Sequence, residues 1–233
     1  MTMSRFKRER TTTFPKISDE DLKDRVYINE PTFFDIETGP MDADDLEQFV
    51  PDFEAPKNIK DEEKINKAID AKRIAWLDKA ALSPLTGQII AIGLLRDGKY
   101  TILEGRESDI INDFWTYWRN YDPQPFIGFN IRKFDLPYII RRGFHCGVDY
   151  PRNILQQNRY WRDNIIDLMD TWACGIFNET ISLDNFCKFL KIKGKSGNGK
   201  HFSELYKTNP EAAIDYLKND LKITERVWEK TCG

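Results

Sequence analysis

Three groups of residues in this sequence have the types and the spacing to do chemistry together, and all three are acidic. The first is Asp35-x-Glu37, in the run Phe33-Phe34-Asp35-Ile36-Glu37-Thr38-Gly39-Pro40. Aromatic and β-branched residues favour an extended chain, and Thr38-Gly39-Pro40 is a turn signal that ends it. Side chains alternate along a strand, so Phe33, Asp35 and Glu37 share one face while Phe34 and Ile36 take the other. Two carboxylates at i and i+2 near the end of a buried strand repel each other and lose hydration. They call for a cation or a proton. The competing reading is a strand that frays into a solvated acidic loop.

The second group is Asp135, in Asn130-Ile131-Arg132-Lys133-Phe134-Asp135-Leu136-Pro137. A short apolar strand over 125–129 leads into it. Pro137 suits the first turn of a helix and Gly143 its stop, so Asp135 stands at a helix mouth. The plain role for it there is an N-cap. The third group is Tyr216-x3-Asp220, on a last helix that Asn209 caps and that runs to about Lys230. At about 100° per residue, Asp220 is the only charged side chain in the apolar half, among Ile214, Leu217, Leu221, Thr224 and Trp228. Tyr216 lies one turn away on the same side. An acid aimed at a core beside a phenol calls for a hydrogen-bond network or a metal. The plain alternative is a Tyr–Asp bond that serves stability alone.

Four carboxylates converging on one spot are electrostatically intolerable without cations, and two divalent ions held by shared carboxylates answer that. Oxygen-only ligands favour hard ions, magnesium or manganese. Such a pair suits in-line attack of water on a phosphodiester.

The elements that must position these groups are legible in outline. Gln88–Leu95 and Lys99–Leu103 form strands joined by a two-residue hairpin turn at Asp97-Gly98, a meander with the first strand. Helical periodicity runs from Asp61 to Ala81, with Ile65, Ile69, Ile74 and Leu77 near one stripe, and again from Asp109 to Asn120. A connecting loop with an extended portion is expected over 144–164, a short strand at 165–168, and a helix from Ser182 through Leu190. The acidic stretch at about 41–63 reads as an irregular, solvated insertion without chemistry. Residues 1–25 read as a flexible basic arm, and 26–233 as a single domain.

Composition narrows the class. The chain has 233 residues, 40% of them hydrophobic, enough for one large domain with a core. A net charge of -3 gives no overall basic signature, so nucleic-acid contacts must come from local patches. The four cysteines, Cys146, Cys174, Cys187 and Cys232, show no CxxC spacing, and only His145 and His201 could join them. That argues against a zinc site and for free thiols in a cytoplasmic protein. No apolar run has the length of a membrane span. The segment Gly194–His201 has the glycine and lysine spacing of a phosphate loop. His201 stands where a Ser or Thr is required, however, and a helix rather than a strand precedes it. It reads instead as a basic loop, over 188–201, that touches a phosphate backbone or is mere solvated surface.

In order, Asp-x-Glu, Asn-x4-Asp and Tyr-x3-Asp resemble the DEDD superfamily of 3′–5′ exonucleases, DnaQ-like, over roughly Phe33 to Lys230. The tyrosine marks the DEDDy branch, since the histidine form would place His where Asp215 stands. Ala81-Leu82-Ser83-Pro84-Leu85-Thr86-Gly87 is similar to stand-alone relatives of the family B DNA polymerase proofreading domain. The long acidic insertion after the first motif departs from that pattern. The resemblance implies an α/β, ribonuclease-H-like fold, a central mixed sheet flanked by helices. It implies two divalent ions, Mg2+ or Mn2+, and release of nucleoside monophosphates from a single-stranded DNA 3′ end. A DNA polymerase or replication and repair proteins are the implied partners. On the same basis Asp35 would bridge both ions, Glu37 and Asp220 would complete the first site, and Asp135 would support the second. Tyr216 would orient the attacking water, Thr38 and Asn130 would contact the terminal nucleotide, and Phe134 would stack on it. Two other functions compete: the same chemistry on RNA, and a non-catalytic nucleic-acid-binding module with this fold.

Overall fold

The computed structural model describes residues 30–58, 60–156, 160–194 and 202–232. The expected basic arm at 1–25 and the phosphate-loop-like segment after Gly194 lie outside the described residues. In chain order the elements are β1 (Thr32–Pro40), α1 (Ala43–Glu47), α2 (Glu62–Ala80), β2 (Gly87–Arg96), β3 (Lys99–Glu104) and α3 (Glu107–Tyr121). There follow β4 (Phe126–Gly128), α4 (Asp135–Cys146), β5 (Leu155–Gln156), β6 (Tyr160–Trp161), β7 (Ile165–Asp167), α5 (Leu168–Ala173), α6 (Leu183–Leu190), α7 (Phe202–Thr208) and α8 (Pro210–Thr231).

Five strands form one sheet in the order β3-β2-β1-β4-β7, and β5 and β6 make a separate ribbon. The β1-β2-β3 meander is antiparallel, while β4 and β7 run parallel to β1. The hairpin turn has positive φ at both Asp97 (47°) and Gly98 (66°), as a tight two-residue connection between twisted strands requires. Alternation along β1 divides its side chains between two cores. Phe34 and Ile36 join an aromatic-rich cluster with Phe114, Trp115 and Trp118 of α3 and Leu136 and Ile139 of α4. Phe33 joins the other, with Phe186 of α6 and Leu221 and Val227 of α8. The parallel strands β4 and β7 end together at Gly128 and Asp167, one residue past the Phe33–Ile127 pair and so level with the start of the acidic segment of β1, and α8 packs on one face.

Three expectations are corrected. The stripe on α2 is not a core stripe: Ile74 is 59% exposed, and Ala80 alone among its residues is buried. The helix stands off the sheet within the excursion between β1 and β2, where Trp76 meets Phe53 edge-on at 6.3 Å. Gly143 does not stop α4, which continues to Cys146 and ends at Gly147 with φ 68°. A Cβ at Gly143 would lie 3.0 Å from the Val148 carbonyl, so its small size serves a close approach. The acidic insertion is also not wholly irregular, since it contains α1.

The excursion is closed at its base. The Met41 amide donates to the Thr86 carbonyl (3.0 Å), and the Tyr138 hydroxyl donates to that of Ala81 (3.0 Å). Beside it, Arg142 of α4 grips the Glu107 carboxylate through Nε (2.9 Å) and Nη2 (2.6 Å), and Glu107 also accepts the Ile89 amide (2.7 Å). This buried pair ties α3, α4 and β2 together. Among the described residues no helix is long and apolar enough to cross a membrane.

Candidate active site

Asp35 and Glu37 project from β1 toward α8, as alternation from the buried Phe34 and Ile36 requires. A register shift follows Glu37: Glu37 pairs with Ala91 and Thr38 with Ile89, so Ile90 is the extra residue of a bulge. Bulges re-aim the side chains beside them. One residue on, Gly39 admits α7, since a Cβ there would stand 2.9 Å from Cβ of Ser203.

Helix α8 supplies the next acid. Asn209 caps it, accepting the Ala212 amide (3.2 Å), and Pro210 occupies its first turn. Gly93 of β2 pairs with Asp35, and a Cβ at Gly93 would come within 2.8 Å of both Leu217 Cγ and Leu221 Cδ1. The missing side chain lets α8 lie close on the sheet at the level of Asp35. As a result one carboxylate oxygen from each of Asp35, Glu37 and Asp220 lies within 4.8 Å of the others. Asp220 is buried (2% exposed) and Glu37 nearly so (8%). Three like charges this close fit a hard cation held by oxygen ligands. Tyr216, half-buried, stands one turn before Asp220 beside Ala91, Phe202 and Leu217.

Asp135 is outside this set of three mutually close carboxylates but near enough to Asp35 to feel its charge. It opens α4 rather than capping it, the N-cap position being Phe134. Its Oδ1 accepts the Ile36 amide (3.1 Å), which joins residues 99 positions apart between the two acids of β1. Burial, and then the charge of Asp35, raise its carboxyl well above the ordinary value of 3.8, and the Ile36 amide opposes them.

The three expected substrate contacts are placed differently from one another. Thr38 is half-buried near the end of β1, and its side chain opposes the rise that burial causes in the Tyr138 hydroxyl. Asn130 is half-buried with φ 64°, and its carbonyl accepts the amides of Lys133 (3.2 Å) and Phe134 (3.0 Å). Phe134 is half-buried, its ring 5.4 Å from that of Tyr138.

One acid was not anticipated. Asp167 ends β7, is 3% exposed and caps α5 by accepting the Met169 amide (2.9 Å). Burial raises its carboxyl, and the amides it accepts oppose the shift. An Asp closing the apolar pair Ile165-Ile166 ahead of a helix is an N-cap signal that could have revealed the cap.

The fold is similar to that of the family B DNA polymerase from the hyperthermophilic archaeon Pyrobaculum calidifontis, with a TM-score of 0.55 and 17% sequence identity. The match covers 86% of this chain and 24% of the polymerase chain, and it agrees with a ribonuclease-H-like arrangement of five mixed strands between helices. No curated protein matches the sequence. A family model, described as a predicted 3′–5′ exonuclease related to the exonuclease domain of PolB, matches residues 86–232. That span holds Asp135, Tyr216 and Asp220 and begins after Asp35 and Glu37. The chain belongs to this family of predicted 3′–5′ exonucleases.

Proposed function

We propose that the protein is a metal-dependent 3′–5′ exonuclease that removes nucleoside monophosphates from a single-stranded DNA end. The observation that carries this reading is the meeting of Asp35, Glu37 and Asp220 within 4.8 Å, from two elements far apart in sequence. Asp35, Glu37 and Asp220 would hold one divalent ion, Mg2+ or Mn2+. Asp35 would also face a second, supported by Asp135. When bound, such ions lower the pKa of a water and stabilise charge on the leaving oxygen.

The chain's own residues do the rest. Tyr216, one turn from Asp220, orients the attacking water through its hydroxyl. Asp135 holds the Ile36 amide and so keeps β1 straight between its two acids. Water attacks phosphorus in line, the bond from phosphorus to the 3′ oxygen breaks, and a nucleoside 5′-monophosphate leaves a shortened strand with a free 3′ hydroxyl. Asn130 and Thr38 border the place of the terminal nucleotide. Phe134 offers it a ring face, a sequence-tolerant way to hold a frayed strand. The organisation into a basic arm and one exonuclease domain, a reducing cytosolic setting for the four free thiols, and a polymerase or repair partner belong to the same reading.

The test is a gel assay on a single-stranded DNA labelled at its 5′ end, beside an RNA of the same sequence. A descending ladder with magnesium or manganese, absent with EDTA and in Asp35→Ala, is the expected result. A ladder on RNA alone reassigns the substrate. Intact strands under both metals, with binding retained, would replace the enzyme by a binding module.

A further inference from the structure

Both oxygens of Asp167 are engaged by main-chain amides. Oδ1 accepts Asn130 N–H (2.7 Å) together with the capping Met169 N–H, and Oδ2 accepts Arg132 N–H (2.9 Å). Capping α5 needs one acceptor, which a serine would supply. The other two bonds reach 37 and 35 residues back, into the loop between β4 and α4. That loop carries a non-glycine residue in the left-handed region, Asn130, a conformation that persists only where its surroundings impose it. The Asn130 carbonyl accepts the Phe134 amide, and the next residue is Asp135, whose carboxylate meets the Ile36 amide. A continuous set of bonds thus runs from the end of β7, through the loop, to the strand segment between Asp35 and Glu37.

We propose that Asp167 is a positioning residue for the exonuclease reaction, holding the β4–α4 loop so that Asp135 meets β1 between its two acids. The inference rests on the exonuclease reading of the site. Asp167 stands outside the group formed by Asp35, Glu37 and Asp220 and acts through Asp135. Asparagine cannot replace it, because its side-chain amide would oppose a main-chain N–H to another N–H donor.

The experiment compares full-length wild type, Asp167→Asn and Asp167→Ser with Asp122→Asn. The last loses the ion pair with Arg162, and the Arg162 bond to Oδ2, at the opposite end of β4. Mn2+ binding is followed by calorimetry, kcat and KM on labelled single-stranded DNA, and melting by fluorescence. Loss of a residue that orients a ligand costs about 10–100-fold in metal affinity or activity, and that fall in Mn2+ affinity and kcat is expected for both Asp167 variants. Asp167→Ser keeps a capping oxygen and must still show the loss. Added to Asp135→Asn, Asp167→Asn must weaken Mn2+ no further, the mark of residues that act as a unit. Asp122→Asn is expected to melt earlier with Mn2+ binding and kcat unchanged.

Asp167 variants that bind Mn2+ and turn over like wild type below their melting temperature overturn the proposal and leave a helix cap. Wild type that binds no Mn2+ overturns the exonuclease reading itself, and this inference with it.

Discussion

Asp220 sits in an apolar helix face, 2% exposed, against two other carboxylates. Like charges at this distance destabilise the metal-free fold, so removing one should relieve it. Asp220→Asn is expected to raise the melting temperature in EDTA by a few degrees, equivalent to roughly 1 kcal/mol. It should also lower excision about 10³-fold, the equivalent of several kcal/mol of lost charge stabilisation. Thermal melts with and without Mn2+ check this, and a variant that melts earlier in EDTA contradicts the crowding. Asp135 gives a pH test. A carboxyl whose folded pKa is raised binds more protons folded than unfolded, so its contribution to stability falls as pH rises from 3.8 through the folded value. In EDTA, wild type should therefore lose stability relative to Asp135→Asn over that climb. Denaturation midpoints across a pH series would show parallel curves if Asp135 were ordinary. At this scale the sequence was informative where geometry is local. Alternation on a strand and 100° steps on a helix are enough to aim Asp35, Glu37 and Asp220. Asp167 escaped notice because two of its three amide partners lie 35 and 37 residues away, in a loop that no periodicity describes.

Among the elements, α8 is held to the sheet where β2 lacks a side chain. Gly93→Ala would place a Cβ 2.8 Å from two leucine carbons of α8, and overpacking of this kind costs about 1–3 kcal/mol. The variant should unfold at lower denaturant. Its kcat should fall further than its KM rises, since Tyr216 and Asp220 ride on the displaced helix. A stability loss with unchanged kcat would mean that the leucines, not the helix, give way. Elements with caps and turn chemistry were readable: Asn209, Ser182 and the Asp97-Gly98 turn sit where their residue types ask. Helix α2 was misjudged because regular isoleucine spacing states only that a face is apolar. What covers that face is decided elsewhere in the chain, and here Ile74 and Leu77 stay exposed. Gly143 misled for a related reason, since a glycine that ends a helix and one that admits a neighbour look alike in sequence.

For the molecule as a whole, the excursion between β1 and β2 leaves the sheet at Pro40, three residues past Glu37, and its first part carries Asp42, Asp44, Asp45 and Glu47. Acidic side chains repel a polyanion whose path comes within about 8–10 Å of them at ordinary ionic strength, and a salt series tests whether these four lie that close. Replacing these four by Asn and Gln should tighten binding of single-stranded DNA several-fold at low salt, with the difference vanishing at high salt. Fluorescence anisotropy across a salt series measures it, and equal affinities at low salt would separate the excursion from the path of the strand.

Helix α8 both covers the apolar face formed by Phe33, Leu95 and Ile127 and brings in Asp220 and Tyr216. Synthesis runs from the first residue to the last, so every strand of the sheet leaves the ribosome before that helix does. A nascent chain whose strands have paired thus exposes a greasy face and lacks one carboxylate of its cluster. Protection from aggregation and assembly of the acidic cluster arrive in the same docking event, and a chain cut ahead of Pro210 is denied both.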